Sequence, residues 1–202
     1  MLKAKVCVLV SGGGTNLQAI IDATKNGIIN SAEVSVVVAS NPNAYALERA
    51  KNNGIPREVV HKKMMPSQEA FEKAIEDIIE KYEIDFIVLA GFMCILSENF
   101  TKKFPEKIIN VHPSLIPSFC GKGFYGLHVH EAALEYGVKV TGATVHFVNE
   151  IPDGGRIIMQ KAVAIEEGDT PEILQKRVME EAEWIILPES VEKVAQDILK
   201  NK

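Results

Sequence analysis

Short apolar runs alternate with amphipathic stretches along most of this chain. Val6-Cys7-Val8-Leu9-Val10 is apolar throughout, and Glu33 to Ala39 (with Val-Ser-Val-Val-Val) and Phe86-Ile87-Val88-Leu89-Ala90 are nearly so. Continuous apolar runs of this length predict strands buried on both faces. Arg57-Glu58-Val59-Val60 predicts a short third strand, and Lys107 to Val111 a fifth. Helical spacing fills the gaps between the earlier strands, at Leu17, Ile20 and Ile21, then at Ala46, Leu47 and Ala50. Its clearest instance is Phe71, Ile75, Ile78, Ile79 and Tyr82, with Ser67 placed to cap the helix.

Beyond residue 120 the pattern changes. Gly126 to Tyr136 predicts a helix, Thr141 to Val148 alternates as a strand does, and Arg156 to Ile165 is a second long strand. The link from Asn149 to Gly155 is short and turn-rich, which predicts an antiparallel pair. Thr170-Pro171-Glu172 opens a final amphipathic helix, with an interruption expected at Pro188. Strands alternating with helices imply parallel pairing and right-handed crossovers. The expected fold is therefore α/β: a Rossmann-like open twisted sheet, mostly parallel, with an antiparallel C-terminal pair and helices on both faces. One domain over 1–202 is expected, its first half (about 1–105) binding phosphate and its second (about 106–202) carrying the chemistry.

Three segments carry candidate chemistry. In Asn110-Val111-His112-Pro113-Ser114, alternation points Asn110 and His112 to one face and Val111 to the other. Pro113 lacks an N–H and ends the strand, at the sheet edge where open α/β folds bind ligands. A lone strand histidine is more often packed against a carbonyl, but the Asn–His pair favours catalysis. Ser11-Gly12-Gly13-Gly14-Thr15-Asn16 joins the first strand to the first helix and can cradle a phosphate. Its spacing suits neither a dinucleotide fingerprint, since position 17 is Leu, nor a P-loop, and a mononucleotide phosphate is the better match. Pro152-Asp153-Gly154-Gly155 alone reads as a structural Asx turn. Folded over the sheet edge, Asp153 would instead pair with His112 and favour its charged form. The remaining histidines are less promising. His146 is expected packed and hydrogen-bonded, His128 and His130 cannot share a helix face, and His61 has no evident partner.

Composition narrows the field. The 202 residues are 47% hydrophobic and 24% charged with a net charge of −5, so nucleic acid gains no general attraction. The three cysteines (Cys7, Cys94 and Cys120) form no Cys-x-x-Cys motif, which suggests a reducing cytoplasm and no metal site. Cys7 belongs to the core, and Cys120 lacks a base that would make it a nucleophile. Neither a leader nor a membrane span is expected from the sequence.

Taken together, these segments resemble the folate-dependent formyltransferases over nearly the whole length. The likeness is carried by Ser-Gly-Gly-Gly-Thr-Asn-Leu-Gln-Ala-Ile-Ile at 11–21, Leu-Ala-Gly-Phe-Met at 89–93, Asn-Val-His-Pro-Ser-Leu-Ile-Pro at 110–117 and Gly-Ala-Thr-Val-His-Phe-Val at 142–148, followed by Asp-Gly-Gly. The resemblance implies that 10-formyltetrahydrofolate gives its formyl group to the amine of glycinamide ribonucleotide, without a metal. It implies catalytic roles for Asn110, protonated His112 and Asp153, and phosphate binding by Gly14, Thr15 and Asn16. Folate binding would involve Gln68, Met93, Cys94, Ile95, Leu96 and the backbone near Val111. Glu183 would touch the substrate, although the match needs a one-residue insertion that leaves Glu180 open. Family members commonly carry Arg at the positions of Gln68 and Cys94, near the folate tail, and Pro at that of Arg156. A monomer or homodimer with these two small-molecule partners is expected. The rival readings are a formyltetrahydrofolate hydrolase, disfavoured by the phosphate turn, and a non-catalytic mononucleotide-binding module.

Overall fold

In β1 (Ala4–Val10), alternation sends Ala4, Val6, Val8 and Val10 into one apolar cluster and Cys7 and Leu9 into another, one on each face of the sheet. The same division runs through β2 (Ala32–Ala39), whose Val37 and Ala39 oppose Val36 and Val38. The first face is covered by α1 (Thr15–Lys25), α2 (Ala46–Asn52), α6 (Pro171–Val178) and α7 (Trp184–Lys200). The second is covered by α3 (Gln68–Lys81) and α4 (Glu98–Lys103). Such two-sided coverage is why the central strands are apolar at every position. The protein is described by a computed structural model over residues 2–202.

The other strands are β3 (Arg57–Val59), β4 (Phe86–Leu89), β5 (Ile108–His112), β6 (Val140–Phe147) and β7 (Ile157–Ala164). They form one sheet in the order β3-β2-β1-β4-β5-β6-β7. Pairing is parallel from β3 through β5. The expected antiparallel β6–β7 pair is present, and β6 is antiparallel to β5 as well, so β6 alone runs against the rest. Strand order reverses between β1 and β4, and the cleft of such a sheet opens there, at the strands' carboxyl ends. Ser11 bridges this point: its N–H donates to the Gly91 carbonyl at 3.1 Å, and its Oγ accepts from the Met93 N–H at 2.9 Å.

Helix signals were mostly readable. Ser67 Oγ accepts from the Ala70 N–H at 3.1 Å, and Phe71, Ile75 and Ile79 of α3 are buried. Thr170 caps α6, with Pro171 in its first turn. Two elements differ from expectation. The sequence pattern missed α4 because six residues are too few to show a helical period; Ser97 Oγ caps it, accepting from the Phe100 N–H. The final helix also does not break at Pro188, which lies inside α7. The irregularity sits earlier, as a π turn at Met179–Glu183, a geometry that absorbs one extra residue.

The fully buried Ile75 tests the role of α3. Ile75→Ala is expected to lower stability by about 2–5 kcal/mol, read from the urea midpoint of unfolding.

Candidate active site

At the end of β5, Val111 joins the core cluster on one face while Asn110 and His112 take the other. The reversed strand β6 then places His146 opposite Asn110, and Thr144 opposite His112. A register shift at Val145/His146 against β7 marks a bulge beside this pair. Asn110 Nδ2 lies 3.3 Å from His146 Nε2. His146 Nδ1 donates to the Phe147 carbonyl at 2.8 Å, which leaves Nε2 as the acceptor of the neutral ring. His112 Nε2 likewise donates to the Phe119 carbonyl at 2.9 Å, and its Nδ1 faces inward.

Asp153 completes the group. Its turn is tight: Gly154 donates to the Ile151 carbonyl at 2.9 Å, and a Cβ on Gly155 would lie 1.7 Å from the Phe147 carbonyl oxygen. Asp153 has φ +56°, a left-handed conformation that aspartate tolerates better than most residues. Its carboxylate lies between the two imidazoles, with Oδ2 3.6 Å from His112 Nδ1 and Oδ1 3.6 Å from His146 Nε2. Oδ2 also accepts from the Gly121 N–H at 2.8 Å. Burial pushes the Asp153 pKa up, but His146, His112 and the Gly121 N–H together hold it below the ordinary value.

Asp153 favours the charged form of His112, as the sequence suggests. The pKa of the ring is nonetheless depressed overall, because burial outweighs the carboxylate 3.6 Å away and the Phe119 hydrogen bond, and His146 adds a little repulsion. With the side chain only 5% exposed, desolvation of an imidazolium is the larger effect. The Cys120 thiol is pushed up by burial and by the Asp153 charge, so a thiolate is disfavoured there.

On the far side of the cleft, the glycine turn bends at Gly14 (φ +72°) against α2, where a Cβ would come within 2.6 Å of the Ala46 Cβ. Among the described residues, none accepts from the backbone N–H groups of Gly13, Gly14, Thr15 or Asn16. The Asn16 side chain reaches α7: its Nδ2 donates to Glu183 Oε2 at 2.7 Å, and its buried Oδ1 has no partner. Glu183 is buried, and desolvation raises its pKa against the Asn16 hydrogen bond. Glu180 is exposed instead, 3.8 Å from Lys176. The π turn at 179–183 thus ends with Glu183 facing the glycine turn.

The segment after β4 forms the third side. Met93 and Ile95 are 59% and 74% exposed, while Cys94 and Leu96 pack against the second cluster. Gln68 does not offer its amide outward. Nε2 donates to Glu72 Oε1 at 2.6 Å and to the Ile95 carbonyl at 3.1 Å, so it braces this segment. No group of three or more His, Cys, Asp or Glu side chains among the described residues could hold a metal ion.

Sequence reasoning missed two histidines near this centre. His146 was expected to be packed, and it is, but it also faces Asp153; only the antiparallel β5–β6 register shows this. His130, in α5 (Leu127–Tyr136), is fully buried with no partner on either ring nitrogen. Burial and the nearby His112 push its pKa down to about 4. A histidine depressed in the folded state protonates first on unfolding, so stability is complete above pH ~6.5 and declines as pH falls toward ~4. The expected slope is about 1.4 kcal/mol per pH unit from this residue alone. Urea midpoints at pH 6.5 and 4.5 should show a smaller drop in His130→Leu than in the parent.

Comparison with known proteins gives the family of this chain. The model of the formyl transferase family matches residues 4–191. The phosphoribosylglycinamide formyltransferase of Haemophilus influenzae is 42% identical, over 91% of this chain and 84% of its own. The human trifunctional purine biosynthetic protein adenosine-3 is 45% identical over 96% of this chain, which spans only 18% of that larger protein. Among solved structures, glycinamide ribonucleotide transformylase 1 from Symbiobacterium toebii superposes with a TM-score of 0.89 at 41% identity, over 96% of this chain and 89% of that one. The chain belongs to the formyl transferase family.

Proposed function

We propose that this protein transfers the formyl group of 10-formyltetrahydrofolate to the amine of glycinamide ribonucleotide, a step of purine biosynthesis. The reading is carried by a carboxylate held 3.6 Å from each of two imidazoles, beside the Asn110 amide, two strands along the same carboxyl edge of the sheet from the unpaired amides of a glycine turn. The first half of the chain supplies Gly14, Thr15 and Asn16 for the phosphate, and Glu183 approaches the substrate from α7. The second half supplies Asn110, His112 and Asp153. Met93 and Ile95, apolar and exposed at the cleft edge, suit the flat body of the folate. Val111 belongs to this wall through its backbone, since its side chain is in the core.

In this mechanism Asn110 Nδ2 and His112 donate to the formyl oxygen as the substrate's amine adds to the formyl carbon. A well-placed donor of this kind is worth about 3–4 kcal/mol. His112 Nε2 is held by the Phe119 carbonyl at 2.9 Å, so it serves only once that bond is released. Asp153 takes the proton that the amine releases, through His112 or water, and returns it to the departing folate nitrogen. No helix among the described residues is long and apolar enough to cross a membrane, and the cysteines are free. We assign a cytoplasmic location and a monomeric or homodimeric state.

The direct test follows tetrahydrofolate formation with and without glycinamide ribonucleotide. Turnover should require the ribonucleotide; release of formate without it would make the protein a hydrolase, and no turnover in either case a binding module. Asp153→Asn should lower kcat by about 100-fold or more. His146→Ala removes an imidazole that helps hold the Asp153 pKa down, so the acidic limb of the pH–rate profile should move to higher pH. Its kcat should fall roughly tenfold, the equivalent of one hydrogen bond. An unmoved limb would show that His146 does not bear on Asp153.

A further inference from the structure

Each peptide of the glycine turn is planar and trans, so the direction of a carbonyl fixes that of the following N–H. The Gly12 carbonyl accepts from the Ala46 N–H at 3.1 Å, the Gly13 carbonyl from Arg49 Nε at 2.8 Å, and the Gly14 carbonyl from the Gln18 N–H at 2.9 Å. All three carbonyls are therefore turned toward α1 and α2. The N–H groups of Gly13, Gly14 and Thr15 must point the opposite way, and they have no protein partner. Of the three restraints, two are backbone contacts and one is a side chain. Nothing lies within 4 Å of the Cβ position at Gly12 or Gly13, so no side-chain packing holds this part of the turn.

Arg49 is itself well fixed. Nη1 donates to Gln18 Oε1 at 3.1 Å, and the guanidinium lies 5.2 Å from the centre of the Tyr45 ring. Both of its hydrogen bonds go to uncharged acceptors, and the nearby Asp22 carboxylate is reached only through Gln18, so no carboxylate pairs with the guanidinium directly. It also lines a cavity of about 350 Å³ along α1, with Thr15, Gln18, Asp22 and Trp184.

We propose that Arg49 is a positioning residue for the ribonucleotide phosphate, aiming the Gly14 N–H through the Gly13 carbonyl and adding a fixed positive charge behind the turn. This rests on the proposed function, because it takes the glycine turn as the phosphate site. The charge acts in the same sense as the positive end of α1, whose free amides face the same anion. Sequence reading passed over Arg49 because it lies on a separate helix, with nothing in its own segment to tie it to the turn.

The test uses the purified protein with Arg49→Met and Arg49→Lys. In Arg49→Met, the KM for glycinamide ribonucleotide should rise about tenfold, the usual cost of one hydrogen bond from a charged donor. Its kcat and its KM for formylfolate should stay within about threefold of the parent, the mark of lost ground-state binding at one substrate alone. Arg49→Lys should recover most of the affinity, because an ammonium keeps the charge and can reach one of the two acceptors. Circular dichroism should show both variants folded. An unchanged ribonucleotide KM in a folded Arg49→Met overturns the proposal, as does an equal rise in both KM values. If the parent turns over no ribonucleotide at all, the proposed function fails, and thermal stabilisation by inorganic phosphate decides this inference instead: a shift in the parent lost in Arg49→Met supports it, and equal shifts overturn it.

Discussion

Asp153 keeps a lowered pKa while mostly buried, and the second half of the molecule is arranged around that constraint. Removing a carboxylate from water costs several kcal/mol unless donors replace the solvent. One donor is covalently local to the loop after β5, the Gly121 N–H at 2.8 Å. The carboxylate's other polar neighbours are imidazoles on β5 and β6, each 3.6 Å away and brought together because β6 enters the sheet against the direction of its neighbour. A parallel strand in that place would need a crossover connection and a slanted register, and would not set His146 directly beside Asn110. The turn that carries Asp153 depends on the same strand, since Gly155 passes too close to the Phe147 carbonyl for any side chain.

The glycine turn obeys a different rule. It carries no charged side chain, so an anion there would be attracted by backbone dipoles, whose directions must be held. α2 holds the carbonyls from behind, and α7 holds Asn16 through Glu183. That second contact is itself unusual, an uncharged amide against a buried carboxyl whose pKa is raised by desolvation. The unpartnered Asn16 Oδ1 beside it is a buried acceptor without a donor, which native structures seldom leave unless a ligand completes it. The two sides of the cleft thus meet at the β1–β4 switch, joined by Ser11.

Much of this was legible in the sequence because the signals are local. Strand alternation put Asn110 and His112 on one face without any tertiary information, and the glycine turn announced itself between a strand and a helix. What escaped required distances across the chain. His146 shows its partner only once the β5–β6 register is known, and Arg49 only once α2 lies behind the turn. The choice between Glu183 and Glu180 depended on a π turn, which shifts helical phase by one residue and leaves no mark in a periodicity count. The net direction of the His112 pKa was hidden for another reason: a sequence gives the neighbour but not the depth of burial, and burial is the larger influence.

The proton inventory of the centre makes the chemistry follow from the geometry. His112 and His146 each commit one N–H to a main-chain carbonyl, so both present a bare nitrogen toward Asp153 when neutral. His146 Nε2 can accept from the Asn110 amide at 3.3 Å, which satisfies it. His112 Nδ1 has only a carboxylate oxygen in front of it, so acceptor faces acceptor at 3.6 Å. That spacing is too long for a hydrogen bond and too short for two lone pairs to be indifferent. One added proton would turn the repulsion into a charge-assisted bond and draw the two groups together. Titration at such a site belongs to the pair and not to either residue. A proton released beside this pair therefore finds a ready vacancy, and the pair gains a hydrogen bond on taking it up.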